Sequence, residues 1–266
     1  MKLSNFKKLN KTFIIAEIGN NHEGNVKNAK KLINLAAKAG VDAVKFQTFK
    51  TENFVKTNNK KRFNQLKKFQ LSFKQFKMLK KVANKNGLKF ISTPLDYESL
   101  KFLTKNSDLI KIASSDNNFI PLINEALRSK KSIIISTGMT NFTELKYLKK
   151  FLYESVGEKN AIKRVSFLHC VTSYPVDDNE ANLNSIKFLN DNFNFTIGYS
   201  DHTIGTEACI GAAALGAKII EKHFTLNNKL KGADHKISLE PNQFKKMVEN
   251  IRETEKILGS SKLKLL

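Results

Sequence analysis

Eight short β-branched runs recur along the chain, separated by amphipathic, lysine-rich stretches, and this alternation constrains the fold more than any other feature. The runs are Phe13–Ile18, Ala43–Thr48, Lys89–Thr93, Leu109–Ala113, Ser132–Ser136, Val165–Val171, Phe195–Tyr199 and Lys218–Phe224. Near-continuous apolar strands of this kind are buried on both faces, as parallel strands are. The stretches NVKNAKKLINLAAKAG and SFKQFKMLKKVANKNG between them read as helices that finish at Gly40 and Gly87, where a helix end favours glycine. Strands and helices alternating eight times over roughly 250 residues predict a (β/α)8 TIM barrel. An open doubly wound sheet is the runner-up, but no GxGxxG fingerprint follows the first run. PNQFKKMVENIRETEKILG supplies the eighth helix, and no linker or composition shift divides the chain, so residues 1–266 read as one domain.

In such a barrel, chemistry gathers where strands end. Those ends carry Glu17, Lys45 and Gln47, Thr93, Lys111 and Ser114, Ser136, Thr172 and Tyr174, Ser200 and His202, and His223. A barrel serving only as a scaffold has no need of a polar group at every strand end. Lys45 and Gln47 are two apart and share a strand face. A lysine in a buried strand is costly unless it meets an anion. Lys45 and Lys111, with the hydroxyls of Ser114, Ser136 and Ser200, suit a phosphorylated, carboxylated substrate; the alternative is that each lysine pairs with a buried carboxylate or snorkels outward. His202 and His223 close neighbouring runs, and strand tips about 4.8 Å apart let two imidazoles share one divalent ion. His169 reads as a hydrogen-bonded core residue, and His22 and His235 as solvated loop residues. Cys170 has no evident paired base and reads as a small buried residue.

Composition excludes several classes. The net charge of +22 comes from 46 Lys+Arg against 24 Asp+Glu, but the arginines are only Arg62, Arg128, Arg164 and Arg252. Nucleic-acid sites recruit arginine for its planar fork, so the lysine excess, set among many Asn, Ile and Phe, reads as compositional bias and no nucleic-acid partner is expected. Two cysteines are too few for a disulfide framework. No apolar run approaches the ~20 residues that cross a bilayer, and the start lacks the features of a signal peptide. A cytoplasmic protein with no membrane partner is expected.

The motifs IIAEIGNNHEGN, AVKFQTFK, ISTP, IKIASSD, IISTGM, LHCVTSYP, IGYSDHTIG, ALGAKIIEKHFTL and GADHKISLEP follow one another in order. Together, over about residues 12 to 260, they resemble the sialic acid synthase family. The resemblance implies a barrel that condenses phosphoenolpyruvate with an N-acetylated aldose such as N-acetylmannosamine, releases phosphate and requires Mn2+ or Mg2+. It implies metal ligands at His202 and His223. Lys45, Thr93, Lys111, Ser114, Ser136 and Ser200 match positions around phosphoenolpyruvate; Glu17, Gln47, Tyr174 and Asp234 match positions near the sugar. Glu17 is the candidate general base or water-orienting group, with hydrogen bonding to a sugar hydroxyl as its other role. Thr172 stands where a relative carries Asn, and Asp116 where Glu is common.

Legionaminic- or pseudaminic-type acid synthesis is the alternative within the class, with GADHKISLEP closer to neuraminate and legionaminate types. A non-catalytic, partner-dependent barrel is the alternative outside it. Members of the family usually continue into an antifreeze-like domain that reaches across a homodimer. With the chain ending at Leu266, that cap is expected to be absent or separately encoded, or its role taken by the lysine-rich stretch from Lys50 to Lys68.

Overall fold

The computed structural model describes residues 5–232 and 234–259. The chain start and the end at Leu266 lie outside the described residues. Eight strands pair in sequence order, all parallel, and β8 closes back onto β1 to form a barrel. The strands are β1 (Phe13–Gly19), β2 (Ala43–Thr48), β3 (Lys89–Pro94), β4 (Leu109–Ile112), β5 (Ile133–Ser136), β6 (Val165–Cys170), β7 (Thr196–Asp201) and β8 (Ile219–His223). Each expected run holds one strand. β7 runs two residues beyond its expected end, because the polar Ser200 and Asp201 are also buried there.

The helices follow from amphipathic stripes closed by local caps. α1 (Val26–Lys38) begins on Asn25, whose side chain accepts from two backbone N–H groups of the first turn. It turns Leu32, Ile33 and Ala36 into the core. Gly40 follows at φ +82°, a conformation that favours glycine. Between β2 and α4 (Phe73–Lys85) the chain inserts α2 (Thr51–Phe54) and α3 (Lys60–Phe69), where the sequence reads only as a lysine-rich stretch. The remaining helices are α5 (Tyr97–Asn106), α6 (Ile120–Arg128), α7 (Phe142–Val156), α8 (Glu158–Arg164), α9 (Asn184–Asn192), α10 (Glu207–Ala214) and α11 (Pro241–Leu258).

Two apolar layers result from the period-2 alternation along the strands. Outward-facing Ile14, Val44, Phe46, Phe90, Ile133 and Phe167 meet the helices in one continuous core. Inward-facing Ile15, Ala43, Ile91, Ile134, Leu168 and Ile219 fill the lower barrel with Phe6 and Leu9, which plug it from below. Gly198 belongs to this interior: a Cβ there would stand 2.4 Å from the Ile219 carbonyl oxygen. One step higher, the same inward positions become polar. No described helix is long and apolar enough to cross a membrane.

Candidate active site

The polar step opens into a cavity of about 610 Å³ at the C-terminal ends of the strands. Its lining includes Glu17, Lys45, Gln47, Thr93, Lys111, Ser114, Ser136, Thr172, Tyr174, Ser200, His202, His223 and Asp234, so the structure brings every sequence-predicted site residue to one place.

Strand register sets the floor. Glu17 lies beside Lys45 across β1–β2 and beside His223 across β1–β8, while Ser200 lies beside Glu221 across β7–β8. Lys45 Nζ is 3.0 Å from Glu17 Oε1 and 3.4 Å from Glu221 Oε1. Lys111 Nζ is 3.3 Å from the same Glu221 oxygen. Ser200 Oγ donates to it at 3.1 Å, and Lys45 donates to Thr93 Oγ1 at 3.2 Å. The buried-carboxylate alternative for both lysines is therefore realised, through Glu17 and Glu221. Glu221 was not singled out from the sequence, although it shares the inward face of Ile219 and His223 by simple alternation.

Burial shapes the charges on this floor. It pushes the Glu17 carboxyl up to about 7 despite the opposing pull of Lys45. It would raise Glu221 too, but Lys111 and Lys45 outweigh it and hold that carboxyl below its ordinary value. For Lys45, burial pulls downward and the two carboxylates more than compensate; for Lys111, burial wins and the ammonium is easier to deprotonate. Several buried polar atoms here have no hydrogen-bond partner: Glu17 Oε2, Glu221 Oε2, Ser136 Oγ and His223 Nδ1. Unpaired buried polar atoms are uncommon in folded proteins.

On one side of the floor stand the two imidazoles, ring centroids 5.4 Å apart. His202 Nδ1 donates to the Val171 carbonyl at 2.8 Å, which leaves Nε2 as its lone-pair nitrogen. His223 Nδ1 is 3.9 Å from Asp234 Oδ2. Burial lowers both imidazole pKa values, and the neighbouring His202 lowers that of His223 further, so both rings are neutral. Neutral imidazoles with free nitrogens are what a divalent cation requires. Among the described residues no group of three or more His, Cys, Asp or Glu side chains converges as a metal site. The Tyr174 ring lies against His202, centroids 4.1 Å apart and tilted by 32°.

Ser114 and Thr172 approach the β5 loop at Gly138, where a Cβ would stand 2.7 Å from Ser114 Oγ and 2.9 Å from Thr172 Oγ1. Gln47 Oε1 accepts from Asn20 Nδ2 at 2.7 Å. Asp116, which burial pushes above its ordinary carboxyl range, is absent from the cavity lining. His169 is buried and bonded to the Ala181 carbonyl at 2.9 Å, as expected of a core residue. Cys170 is buried and free, and burial keeps its thiol protonated.

His22 and His235 depart from expectation, since both are buried rather than solvated. His235 Nδ1 bonds Thr225 Oγ1 at 2.7 Å, and its Nε2 is 3.5 Å from Glu23 Oε1. His22 Nδ1 accepts from the Gly24 N–H at 3.0 Å, and burial lowers this imidazole to about 4. Loops carry no periodicity, so their burial is decided by the elements that fold over them.

Comparison with known proteins gives a consistent answer. The NeuB family model matches residues 32–263. The N,N'-diacetyllegionaminic acid synthase of Campylobacter jejuni is 41% identical over 94% of this chain and 78% of its own length. The mouse N-acetylneuraminate-9-phosphate synthase is 34% identical over 96% of this chain and 73% of its own. The crystal structure of N-acetylneuraminic acid synthetase from Leptospira borgpetersenii, in complex with citrate, superposes with a TM-score of 0.90 at 37% identity, covering 97% of this chain and 88% of that one.

Proposed function

The chain belongs to the NeuB family, and from that premise we propose that it condenses phosphoenolpyruvate with an N-acylated aldose, releasing phosphate and forming a nonulosonic, sialic-type acid. The observation that carries this reading is the floor of the cavity, where two buried lysines converge on one carboxylate oxygen, with hydroxyls around them and the imidazole pair alongside.

Lys45 and Lys111, with Thr93, Ser114, Ser136 and Ser200, hold the phosphate and carboxylate of phosphoenolpyruvate. Two ammonium groups face Glu221 and Glu17, whose carboxyl burial raises to about 7, so the floor carries net positive charge whenever Glu17 is protonated. Desolvated and fixed, such charges act far more strongly than in water. The lysines align C3 of the enol ester with the aldehyde carbon, removing orientational freedom from the encounter.

His202 and His223 are the residues that would hold a divalent cation, Mn2+ or Mg2+, which would supply a Lewis acid for the aldehyde oxygen. C3 attacks the aldehyde carbon, water adds to C2, and the tetrahedral carbon expels phosphate. The trianionic phosphoenolpyruvate, aldehyde and water thus become a carboxylate product and hydrogen phosphate, with charge conserved. One proton must leave the water and one must reach the new C–O⁻. In this reading Glu17 moves it, with Oε1 held by Lys45 and Oε2 without a hydrogen-bond partner. Gln47, Tyr174, Thr172 and Asp234 line the aldose side. The reading includes a cytoplasmic location, supported by two free cysteines and a substrate drawn from central metabolism.

The test incubates the purified chain with phosphoenolpyruvate, Mn2+ and a panel of N-acylated aldoses, following phosphate release and identifying the product by mass spectrometry. Phosphate release that requires the aldose, and that EDTA stops, is expected. Release without aldose, or none at all, would overturn the reading.

A further inference from the structure

The condensation chemistry uses the cavity floor and the imidazole pair, and it leaves a group of buried polar side chains on one rim unassigned. They lie where the β8–α11 loop meets the β1–α1 loop. Among its described residues the β8–α11 loop holds no helix or strand, and an isolated bridge from Phe224 to Leu239 closes its neck. That loop carries Asp234, whose Oδ2 stands 3.9 Å from His223 Nδ1.

The Asp234 side chain does not hold itself in place: among the described residues its carboxylate makes no hydrogen bond. Its backbone is held instead. Ser238 Oγ donates to the Asp234 carbonyl at 2.6 Å and accepts from Asn21 Nδ2 at 2.9 Å. The same amide donates to the Phe224 carbonyl at 3.0 Å, so Asn21 ties both the neck of the loop and the stretch that carries Asp234. The next residue, His235, works from the other side. Its Nδ1 bonds Thr225 Oγ1 at 2.7 Å and its Nε2 lies 3.5 Å from Glu23 Oε1. The ring packs on Gly232, where a Cβ would stand 2.5 Å from His235 Cδ2.

Asn21, Thr225, His235 and Ser238 are all buried, and none of the four leaves a buried side-chain polar atom without a partner. The floor of the cavity is the opposite case, with four such atoms unpaired. A buried polar network whose members are all satisfied makes its surroundings rigid. The β1–α1 loop is itself anchored: Gly24 lies at φ +76°, and a Cβ there would stand 2.0 Å from the Lys68 carbonyl oxygen of α3.

We propose that Asn21, Ser238 and His235 are positioning residues: they clasp the β8–α11 loop onto the β1–α1 loop and hold the Asp234 carboxylate in the cavity beside His223. The proposal rests on the condensation reading, in which Asp234 serves the aldose. Each of the three acts through Asp234 and not by touching the reacting atoms. A displacement of about 1 Å in a reacting constellation can cost about 10²-fold in rate, and the clasp works on that scale.

Ser238→Ala and His235→Leu each break one side of the clasp, while His235→Asn keeps a hydrogen-bonding amide where Nδ1 stood. The assay uses the purified chain, phosphoenolpyruvate, Mn2+ and the aldose of the panel that is turned over fastest. Ser238→Ala and His235→Leu should each lower kcat/KM for the aldose about ten- to a hundredfold. Phosphoenolpyruvate binding, followed by calorimetry, should be unchanged, and His235→Asn should recover most of the loss. A double-mutant cycle with Asp234→Asn separates positioning from support of the fold. Adding Ser238→Ala to Asp234→Asn should cost almost nothing further. Losses that multiply in the double variant, a phosphoenolpyruvate affinity that falls in step with kcat/KM, or a His235→Asn variant no better than His235→Leu would overturn the proposal and leave the condensation reading standing. If the wild-type chain releases no phosphate with any aldose, the condensation reading falls and hydrogen exchange judges the clasp. Amides of residues 226–232 and 234–238 should then exchange at least about tenfold faster in His235→Leu, and equal exchange overturns the clasp as well.

Discussion

Two buried lysine–carboxylate clusters meet at β7 and β8 on opposite faces of the sheet, one residue apart, and they differ in one respect. Facing outward, Lys222 Nζ donates to Asp201 Oδ2 and to the Thr203 carbonyl, each at 2.6 Å. Asp201 also accepts from Tyr199 OH at 3.0 Å, the Thr203 N–H at 2.9 Å and Cys209 Sγ at 3.2 Å, so both its oxygens are occupied. Facing inward, Lys45 and Lys111 crowd onto one oxygen of Glu221, while Oε2 of both Glu221 and Glu17 has no partner. Residue types and burial are alike. The carboxylate oxygens of the outer cluster are satisfied within the fold, as a structural pair requires; those of the inner cluster are half satisfied, one oxygen of each carboxylate having no partner.

The largest expected effect tests the outer cluster. Lys222→Met leaves Asp201 buried without its counterion and should cost about 3–5 kcal/mol in urea unfolding. Because the pair locks Asp201 opposite Lys222 in the β7–β8 register, the variant should also loosen the spacing of His202 and His223. A loss below 1 kcal/mol would remove the distinction between the clusters.

Next in size is the proton on the inner floor. Burial raises the Glu17 carboxyl to about 7. Between the ordinary carboxyl value and about 7 the folded chain therefore holds a proton that the unfolded chain has released. The stability Glu17 contributes is complete below the unfolded pKa and is lost as pH rises through the folded one. Glu17→Gln cannot lose that proton, so its stability relative to wild type should climb from pH 5 to pH 8. Turnover should fall about 10²- to 10⁴-fold, the usual worth of a positioned acid–base group. A flat stability difference across that range would show that Glu17 titrates as an ordinary exposed carboxyl.

How much of this contrast was legible beforehand depends on periodicity. The eight strands showed because β-branched runs buried on both faces look alike wherever they occur, and the boundary at Ser200–Asp201 blurred because polar residues end such a run on paper. His202, His223, Lys45 and Lys111 stood out as polar residues at run ends. Glu221 obeys the same alternation but was eclipsed by the histidine two residues on, and Lys222 and Asp201 could not be told from solvated charges without the helices that cover them. α3 was masked by its lysines, which outnumber the apolar Phe63, Leu66 and Phe69. His22 and His235 are buried by loop packing, which leaves no local pattern to read.

Lys111→Met sharpens the inner side of the comparison. Glu221 keeps Lys45 and Ser200 after the change, so the stability cost should lie well under that of Lys222→Met. The loss should appear instead as weaker phosphoenolpyruvate binding, roughly ten- to a hundredfold, the worth of about one charge-assisted hydrogen bond. Calorimetric titration checks the affinity and urea unfolding checks the fold. A variant that unfolds readily while binding phosphoenolpyruvate normally would make Lys111 a structural partner, like Lys222.

The smallest effect concerns the outer cluster again, through a group that bears no charge. Tyr199 is almost fully buried, stacks on His169 at 5.6 Å and donates its hydroxyl to Asp201. Burial and the adjacent carboxylate both raise its pKa, so it remains a donor at every working pH. Tyr199→Phe removes one of two donors to Asp201 Oδ1 and keeps the ring, so packing is unchanged and the remaining Thr203 N–H still serves that oxygen. A hydrogen bond to a charged acceptor contributes about 1.5–3 kcal/mol, and the retained donors put this loss near about 1.5 kcal/mol in urea unfolding. Because Tyr199 faces away from the cavity, the KM for phosphoenolpyruvate should not move. A KM that rises together with the stability loss would mean that strain in the outer cluster passes through the strand to Ser200, and the two clusters would then act as one.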